Sequence, residues 1–299
     1  MKRKILDGDF LDRLDAASLC LKTTMTGFFG GSRRARSYGN TVEFADFREY
    51  FPGDDIRRID WNVYARFEKY FIKLFTDERQ MHNQIMIDTS ASMACGQPEK
   101  AEAALKIAAA FGYLSVSAMD RVSYYLLKGN KAEGLGFSIS NKDTFYRAAQ
   151  ALETTEFEGE TDLEKSIVNM ESPGYDDGLT VIISDFLTES NWKKTIDFLL
   201  YRRREILLIQ VLSPDELFPT FDGRVHMLDS EAPDFGDGRH MKTMITKKMV
   251  EAYQKAFDEY EQEIVDFCAS RGVTFFTALS DEPIEKVIFG KGYETEIIK

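Results

Sequence analysis

The stretch QIMIDTSAS at residues 84–92 places a short apolar run directly before several oxygen-bearing side chains. The run Gln84–Asp88 predicts a buried β-strand, because short apolar runs bounded by turn-forming residues are typical of such strands. Asp88, Ser90 and Ser92 follow at alternate positions where the strand ends. The stretch therefore predicts a buried strand and a candidate binding site at its carboxyl end.

Strands and helices alternate on the carboxyl side of this stretch. Strands are predicted at 84–88, 122–127, 132–137, 179–183, 205–212, 225–228 and 273–278. Helices are predicted at 99–118, 141–152, 162–170, 191–204 and 246–270, with a short one after Pro283. This order predicts a mostly parallel α/β sheet with helices on both faces and one antiparallel hairpin strand.

Two further segments carry oxygen ligands to the same edge of the predicted sheet. Thr161 stands at the start of a predicted helix, and Asp185 follows the strand 179–183. Ligand sites in such sheets lie beyond the carboxyl ends of the strands. We expect Asp88, Ser90, Ser92, Thr161 and Asp185 to converge there. An all-oxygen set with only two carboxylates suits Mg²⁺ or Mn²⁺, and it leaves the ion able to accept an acidic ligand from a partner.

Other interpretations of these residues remain open. Asp88 and Asp185 are also typical turn formers or helix caps. Asp88 after a buried strand also resembles a phosphoaspartyl nucleophile, so a metal-dependent hydrolase or phosphatase is the alternative function. Such phosphatases need a second acid two residues later, and Ser90 stands there. No P-loop or nucleophile-elbow motif is present, and a non-enzymatic role is the stronger hypothesis.

The segment at 40–83 predicts a compact extension ahead of the sheet. It alternates Arg and Asp with aromatic residues around a Pro52-Gly53 turn, and 69–76 is typical of a strand. We expect its charges to pair with each other and Trp61 to anchor its core. With an amphipathic helix at 9–21, the predicted division is residues 1–80 for the extension and 81–299 for the α/β domain.

Composition narrows the classes of partner. The 299-residue chain has a formal net charge of -12, which repels nucleic acid and favours divalent cations and basic protein faces. Three widely spaced cysteines favour a reducing compartment. No stretch approaches the length of a membrane span, so we expect a cytoplasmic protein.

Several other features have two interpretations. The basic loop 27–36 is either solvated or a binding patch, and Cys95 is either passive or a redox switch. The acidic run 153–164 around Thr161 is either a solvated rim or a source of negative potential at the cation. Lys100 is expected in the first turn of a helix, where its charge gains nothing from the dipole, and pairing with a nearby acid is an alternative.

These motifs resemble those of a known family. Asp88-Thr89-Ser90-Ala91-Ser92-Met93 is similar to the metal-ion-dependent adhesion site of von Willebrand factor A domains, and Thr161 and Asp185 match the second and third elements of that site. The upstream residues resemble the signature of the bacterial family called domain of unknown function 58. They are VEFADFREY at 42–50, PGDDIR at 52–57, IDW at 59–61 and Ala65-Arg66.

The resemblance implies a specific fold and partner. The fold would be von Willebrand factor A-like and doubly wound, with six strands in the order 3-2-1-4-5-6 and an antiparallel edge strand. The metal ligands would be Asp88, Ser90, Ser92, Thr161 and Asp185. The partner would be a MoxR-type AAA+ ATPase or its client, and this chain would act as an adaptor or co-chaperone. Many family members carry two N-terminal membrane helices, which we do not expect here.

Overall fold

A computed structural model of the chain describes residues 5, 8, 10, 12–14, 43–76, 81–170, 178–188, 190–219, 223–228 and 240–291. The strands are β1 (Glu43–Glu49), β2 (Phe71–Thr76), β3 (His82–Asp88), β4 (Arg121–Lys128), β5 (Lys131–Ile139), β6 (Gly178–Ser184), β7 (Arg204–Leu212), β8 (Gly223–Leu228), β9 (His240–Ile245) and β10 (Thr274–Leu279). The α-helices are α1 (Trp61–Phe67), α2 (Lys100–Ser117), α3 (Lys142–Leu152), α4 (Leu163–Val168), α5 (Trp192–Tyr201), α6 (Pro214–Leu217) and α7 (Lys247–Arg271). Short 3-10 turns lie at Ile56–Arg58 and Ala91–Ala94, and a π-helical turn lies at Lys286–Lys291.

Six of these strands form one sheet in the order β10-β7-β6-β3-β4-β5. All neighbours in it are parallel except β5, which pairs antiparallel with β4 at the edge. Counted along the chain within the sheet and starting from β5, the order is 3-2-1-4-5-6. The predicted von Willebrand factor A-like sheet is therefore confirmed.

Helices cover both faces of this sheet, as predicted. Successive side chains of a strand point to opposite faces, so Ile85 and Ile87 of β3 pack in the core cluster that contains α2 and α3. Met86 packs in the other cluster, which contains residues of α4, α5 and α7. β3 and β6 are buried along their whole length, as is typical of central strands in a parallel sheet covered on both faces.

The helix ends follow capping chemistry. Asn191 accepts a hydrogen bond from the Lys194 backbone and begins α5, and Gly272 at φ 65° ends α7, both as predicted. The predicted extension of α5 to Arg204 is wrong. The helix ends at Tyr201, and Arg204 is the first residue of β7, where its buried guanidinium is hydrogen-bonded between strands.

The extension contains β1 and β2, which pair antiparallel, and α1 between them. Ion pairs join Arg48 to Asp54 at 2.8 Å and Lys73 to Asp60 at 2.9 Å, as expected for paired charges. The expectation that Trp61 anchors a core is wrong, because its side chain is 58% exposed. Asp60 caps α1, so Trp61 occupies the first position of a helix that buries none of its residues.

Outside the six-stranded sheet, β8 pairs antiparallel with β9. The sequence predicts a strand at 225–228, which agrees with β8, but it does not predict β9. Of the predicted helix 9–21, residues 10 and 12–14 are described and helical, and Phe10 and Leu14 are buried. The predicted loop 27–36 lies outside the described residues. Within the described ranges, no helix is long and apolar enough to cross a membrane.

Candidate functional site

The candidate site lies where β3 and β6 end side by side. These two parallel strands are in register at Ile87 and Ile183, so Asp88 and Asp185 follow at the same edge of the sheet. The segment that carries Thr161 is attached to this edge by backbone hydrogen bonds, from Ala91 to Gly159 at 2.8 Å and from Glu158 to Thr89 at 2.9 Å. The structure thus brings the three predicted segments together.

Asp88 is buried, and both of its carboxylate oxygens accept hydrogen bonds. The Ser90 backbone N–H donates to Oδ1 at 3.0 Å, and the Ser184 hydroxyl donates to Oδ2 at 2.6 Å. Burial raises the pKa of Asp88, and the neighbouring Asp185 charge raises it further. The hydrogen bond from the Ser90 backbone is the one expected if Asp88 acts as a turn former. Ser184 is a member of the site that the sequence interpretation missed.

Three hydroxyl groups lie in the same segments. The Ser90 and Ser92 oxygens are 3.0 Å apart, with Ser92 in the 3-10 turn Ala91–Ala94. Thr161 donates to the Leu127 carbonyl at 3.2 Å. Ser90 and Thr161 are buried, whereas Ser92 is half-buried. Each oxygen retains lone-pair capacity, so all three can serve as neutral ligands.

Asp185 differs from Asp88 because a cation already lies beside it. The Leu187 backbone donates to Oδ1 at 3.1 Å, and the Lys100 ammonium donates to Oδ2 at 2.8 Å. Lys100 also donates to Glu216 Oε1 at 2.5 Å and is fully buried. Burial acts to lower the pKa of Lys100, but the Asp185 and Glu216 carboxylates outweigh it and raise that pKa. Lys100 is therefore charged, and the suggested pairing with an acid is confirmed.

Contacts from neighbouring elements hold the loop after β6. The Gln210 amide of β7 donates to the Asp185 carbonyl at 3.0 Å, and the Tyr260 hydroxyl of α7 donates to the Phe186 carbonyl at 2.6 Å. Glu216 accepts from the Ser213 backbone at 2.8 Å, which fixes it at the start of α6. No local sequence pattern marks Gln210 as a partner of Asp185 or Glu216 as a partner of Lys100, because the members of each pair are far apart along the chain.

The donor set can be compared with the requirements of a metal ion. Among the described residues, no group of three or more His, Cys, Asp or Glu side chains is placed to hold a metal. The set at this edge is of another kind, with three hydroxyls and two carboxylates, and it fits a hard cation such as Mg²⁺ or Mn²⁺. Asp88, Ser90, Ser92, Thr161 and Asp185 are the residues that would hold it.

The other residues noted in the sequence lie around this edge or away from it. Cys95 is exposed. In the acidic run, Glu158 pairs with Lys128 at 2.6 Å and is exposed, as expected for a solvated rim. His82 is buried at the opposite end of β3, where its Nε2 lies 2.7 Å from the Ser123 hydroxyl.

The sequence is similar to that of a known protein family. The family model described as "Protein of unknown function DUF58" matches residues 46–263. An uncharacterized protein of Mycobacterium tuberculosis is 28% identical over 242 residues, which cover 78% of this chain and 72% of that protein.

Two solved structures are also similar. The conserved hypothetical protein BatB of Bacteroides thetaiotaomicron is 13% identical, with a TM-score of 0.42 over 72% of this chain and 98% of that one. The von Willebrand factor A domain of SpRpn10 is 10% identical, with a TM-score of 0.40 over 70% of this chain and 94% of that one.

Proposed function

The chain belongs to the family described as protein of unknown function DUF58, and on that premise we propose that it is a metal-dependent protein-interaction module. The residues that would hold the ion, Mg²⁺ or Mn²⁺, are Asp88, Ser90, Ser92, Thr161 and Asp185. The partner that the family resemblance implies is a MoxR-type AAA+ ATPase or its client. The chain would then act as an adaptor or co-chaperone in the cytoplasm, without catalysis of its own.

The proposal depends on one observation, which is that neutral hydroxyls and buried carboxylates lie together at the carboxyl edge of the sheet. Ser92 is half-buried, whereas Asp88 and Asp185 are buried and already hydrogen-bonded. A cation that shares only two carboxylates keeps enough positive charge to accept an acidic side chain from another protein. The site is therefore better suited to binding an anionic group of a partner than to sealing an ion inside the protein.

The environment of Asp88 favours binding over hydrolysis. A nucleophilic carboxylate needs an accessible oxygen, and both oxygens of the buried Asp88 accept hydrogen bonds from Ser90 and Ser184. The residue two positions later is Ser90, which cannot serve as a general acid in the way that a carboxylic acid does. A metal-dependent hydrolase or phosphatase is the alternative function, and the experiment below distinguishes it from binding.

The chemistry of the partner follows from charge. The site would take one acidic side chain, while the net charge of -12 favours a partner face that is basic overall. We therefore expect an acidic residue within a basic surface on the ATPase or its client. Association should weaken with added salt, because exposed charges are screened.

The test is a direct binding measurement between this chain and the MoxR-type ATPase of the same organism, in Mg²⁺ and in EDTA. Three forms are compared, namely the wild type, Ser90→Ala/Ser92→Ala, and the control Ser270→Ala, which changes an exposed serine of α7. We expect binding by the wild type and the control in Mg²⁺ only, and none by the double variant. Equal binding in EDTA would rule out a metal-bridged contact. Turnover of a phosphate ester that is lost in Asp88→Ala would support the hydrolase instead.

A further inference from the structure

Lys100 is a buried cation at the edge of the candidate metal site. It is the first residue of α2, a position where the helix dipole disfavours positive charge. Its ammonium lies 2.8 Å from Asp185 Oδ2 and 2.5 Å from Glu216 Oε1, and its side chain is fully buried. The two carboxylates therefore hold it there against both the dipole and the loss of solvation.

The two partners of Lys100 are not equivalent. Asp185 is buried and belongs to the candidate metal site, whereas Glu216 is partly exposed and lies in the short helix α6. Glu216 is held by the Ser213 backbone, and the Tyr253 hydroxyl of α7 donates to its carbonyl at 2.9 Å. Lys100 is thus shared between a carboxylate of the site and a carboxylate outside it.

A divalent ion bound at this site would compete with Lys100 for Asp185. Both are cations, and both draw on one carboxylate whose other oxygen already accepts from the Leu187 backbone. Like charges a few ångströms apart in a poorly solvated place repel strongly. Ser90, Ser92 and Thr161 are neutral and do not offset this repulsion, so Asp88 is the one other proposed ligand whose carboxylate can offset it.

We propose that Lys100 sets the metal affinity of the site, by neutralising Asp185 so that a divalent ion binds weakly unless an anionic ligand from a partner completes its coordination. Metal binding and partner binding would then be coupled, because the partner supplies the anionic ligand that the ion needs and the ion supplies the positive charge that the partner binds. Glu216 moderates this effect, since it also accepts a hydrogen bond from the ammonium. The inference rests on the proposed metal site, and it concerns the strength of that site.

The experiment is a calorimetric Mn²⁺ titration of the full chain without partner. Lys100→Gln removes the charge and keeps an amide donor for Asp185, and the matched control Lys100→Arg keeps the charge. We expect Lys100→Gln to bind Mn²⁺ about tenfold more tightly than the wild type, as expected for removal of a neighbouring positive charge. Lys100→Arg should bind like the wild type. Structural damage alone would weaken binding, so a gain in affinity separates the two explanations.

A second background covers the case in which Lys100→Gln does not fold. The effect of Lys100→Gln is therefore also measured in the Glu216→Gln background. In that background no unpaired Glu216 carboxylate is left when the Lys100 charge is removed. We again expect tighter binding in Lys100→Gln/Glu216→Gln than in Glu216→Gln.

Equal or weaker Mn²⁺ binding after loss of the Lys100 charge, with the wild type binding normally, would overturn this inference and leave the proposed function intact. An equal gain in Mn²⁺ affinity in Lys100→Arg would also overturn the inference and leave the proposed function intact. Absence of Mn²⁺ binding in every variant would overturn both the inference and the metal site.

Discussion

Polar side chains are buried at both the carboxyl and the amino edge of the six-stranded sheet, but their hydrogen-bond partners differ between the two edges. At the amino edge, Arg204 donates to the His82 carbonyl at 2.8 Å, to the Leu179 carbonyl at 2.6 Å and to the Thr180 hydroxyl at 2.9 Å. At the carboxyl edge, the close partners of Asp88, Asp185 and Lys100 include other side chains, among them the Ser184 hydroxyl and Glu216. The Arg204 contacts at the amino edge join β3, β6 and β7. The contacts at the carboxyl edge bring charged groups and hydroxyls together where β3 and β6 end.

This difference separates a structural role from a binding role. A buried cation that donates to the backbone of neighbouring strands stabilises the sheet, and its removal leaves acceptors without donors. A set of hydroxyls and carboxylates that meet at a strand end has the composition of a cation site. The amino edge should therefore determine stability without affecting metal binding, and the carboxyl edge should determine metal binding.

The largest expected effect is that of Arg204→Met. Because the change leaves three buried acceptors without their donor, we expect a loss of about 3 kcal/mol in the free energy of unfolding. Chemical denaturation measures it. Mn²⁺ affinity should not change, since β3 alone separates the two edges by roughly 20 Å. Unchanged stability, or a large change in Mn²⁺ affinity, would break the distinction between the edges.

A smaller loss is expected for Ser184→Ala at the carboxyl edge. Ser184 donates to Asp88 at 2.6 Å and accepts from the Phe186 backbone at 3.0 Å. Loss of a hydrogen bond to a buried charged group should cost about 2 kcal/mol in chemical denaturation. A cost equal to that of Arg204→Met would show that this edge is as important for stability as the other.

The amino edge also predicts a pH effect at His82. Burial first, and then the nearby Arg204 and Arg121 charges, lower the pKa of His82 from 6.5 to about 4. Between these values the unfolded chain binds the proton and the folded chain does not, so His82 contributes a loss of stability as the pH falls through this range. Melting temperatures of the wild type and His82→Gln from pH 7 to pH 4.5 test this. The wild type should lose more than the variant, and parallel curves would contradict the assignment.

Asp120 should act in the opposite direction to His82, with a slightly smaller shift in pKa. Burial raises its pKa from 3.8 to about 6, although the Met81 backbone donates to its carboxylate at 2.9 Å. Between pH 3.8 and about 6 the folded chain therefore holds a proton that the unfolded chain releases, so stability falls as the pH rises through this range and stays lower above it. Asp120→Asn should raise the melting temperature more at pH 8 than at pH 4.5. An equal change at both values would mean that the charge of Asp120 has no cost.

The parts of the molecule that could be predicted from the sequence are those that depend on local sequence patterns. The mostly parallel sheet and the placement of Asp88, Thr161 and Asp185 at one edge follow from alternation along the chain, which requires no knowledge of distant contacts, whereas the strand order is implied by the family resemblance. Lys100 and Glu216 meet at this edge although 116 residues separate them, and no local pattern records that contact.

Two predictions about single residues are wrong, each for its own reason. Arg204 stands next to two other arginines, so the local pattern favours a solvated helix end, yet its contacts are with β3 and β6. Trp61 is large and apolar, so burial is the natural expectation, but it lies at the first turn of a short helix without buried residues. Contacts that are distant in sequence place Arg204, whereas Trp61 is exposed and keeps edge-to-face ring contacts with Tyr64 and Tyr70.

The central claim is that the carboxyl edge of the sheet binds a divalent ion through Asp88 and Asp185, and calorimetric titration with Mn²⁺ tests it most directly. The wild type, Asp88→Ala, Asp185→Ala and the amino-edge control Asp120→Asn are titrated at pH 7.5. We predict one ion bound per chain in the wild type and in Asp120→Asn, and none in Asp88→Ala or Asp185→Ala. Mn²⁺ binding that is unchanged in both edge variants, or absent from the wild type, would contradict the claim.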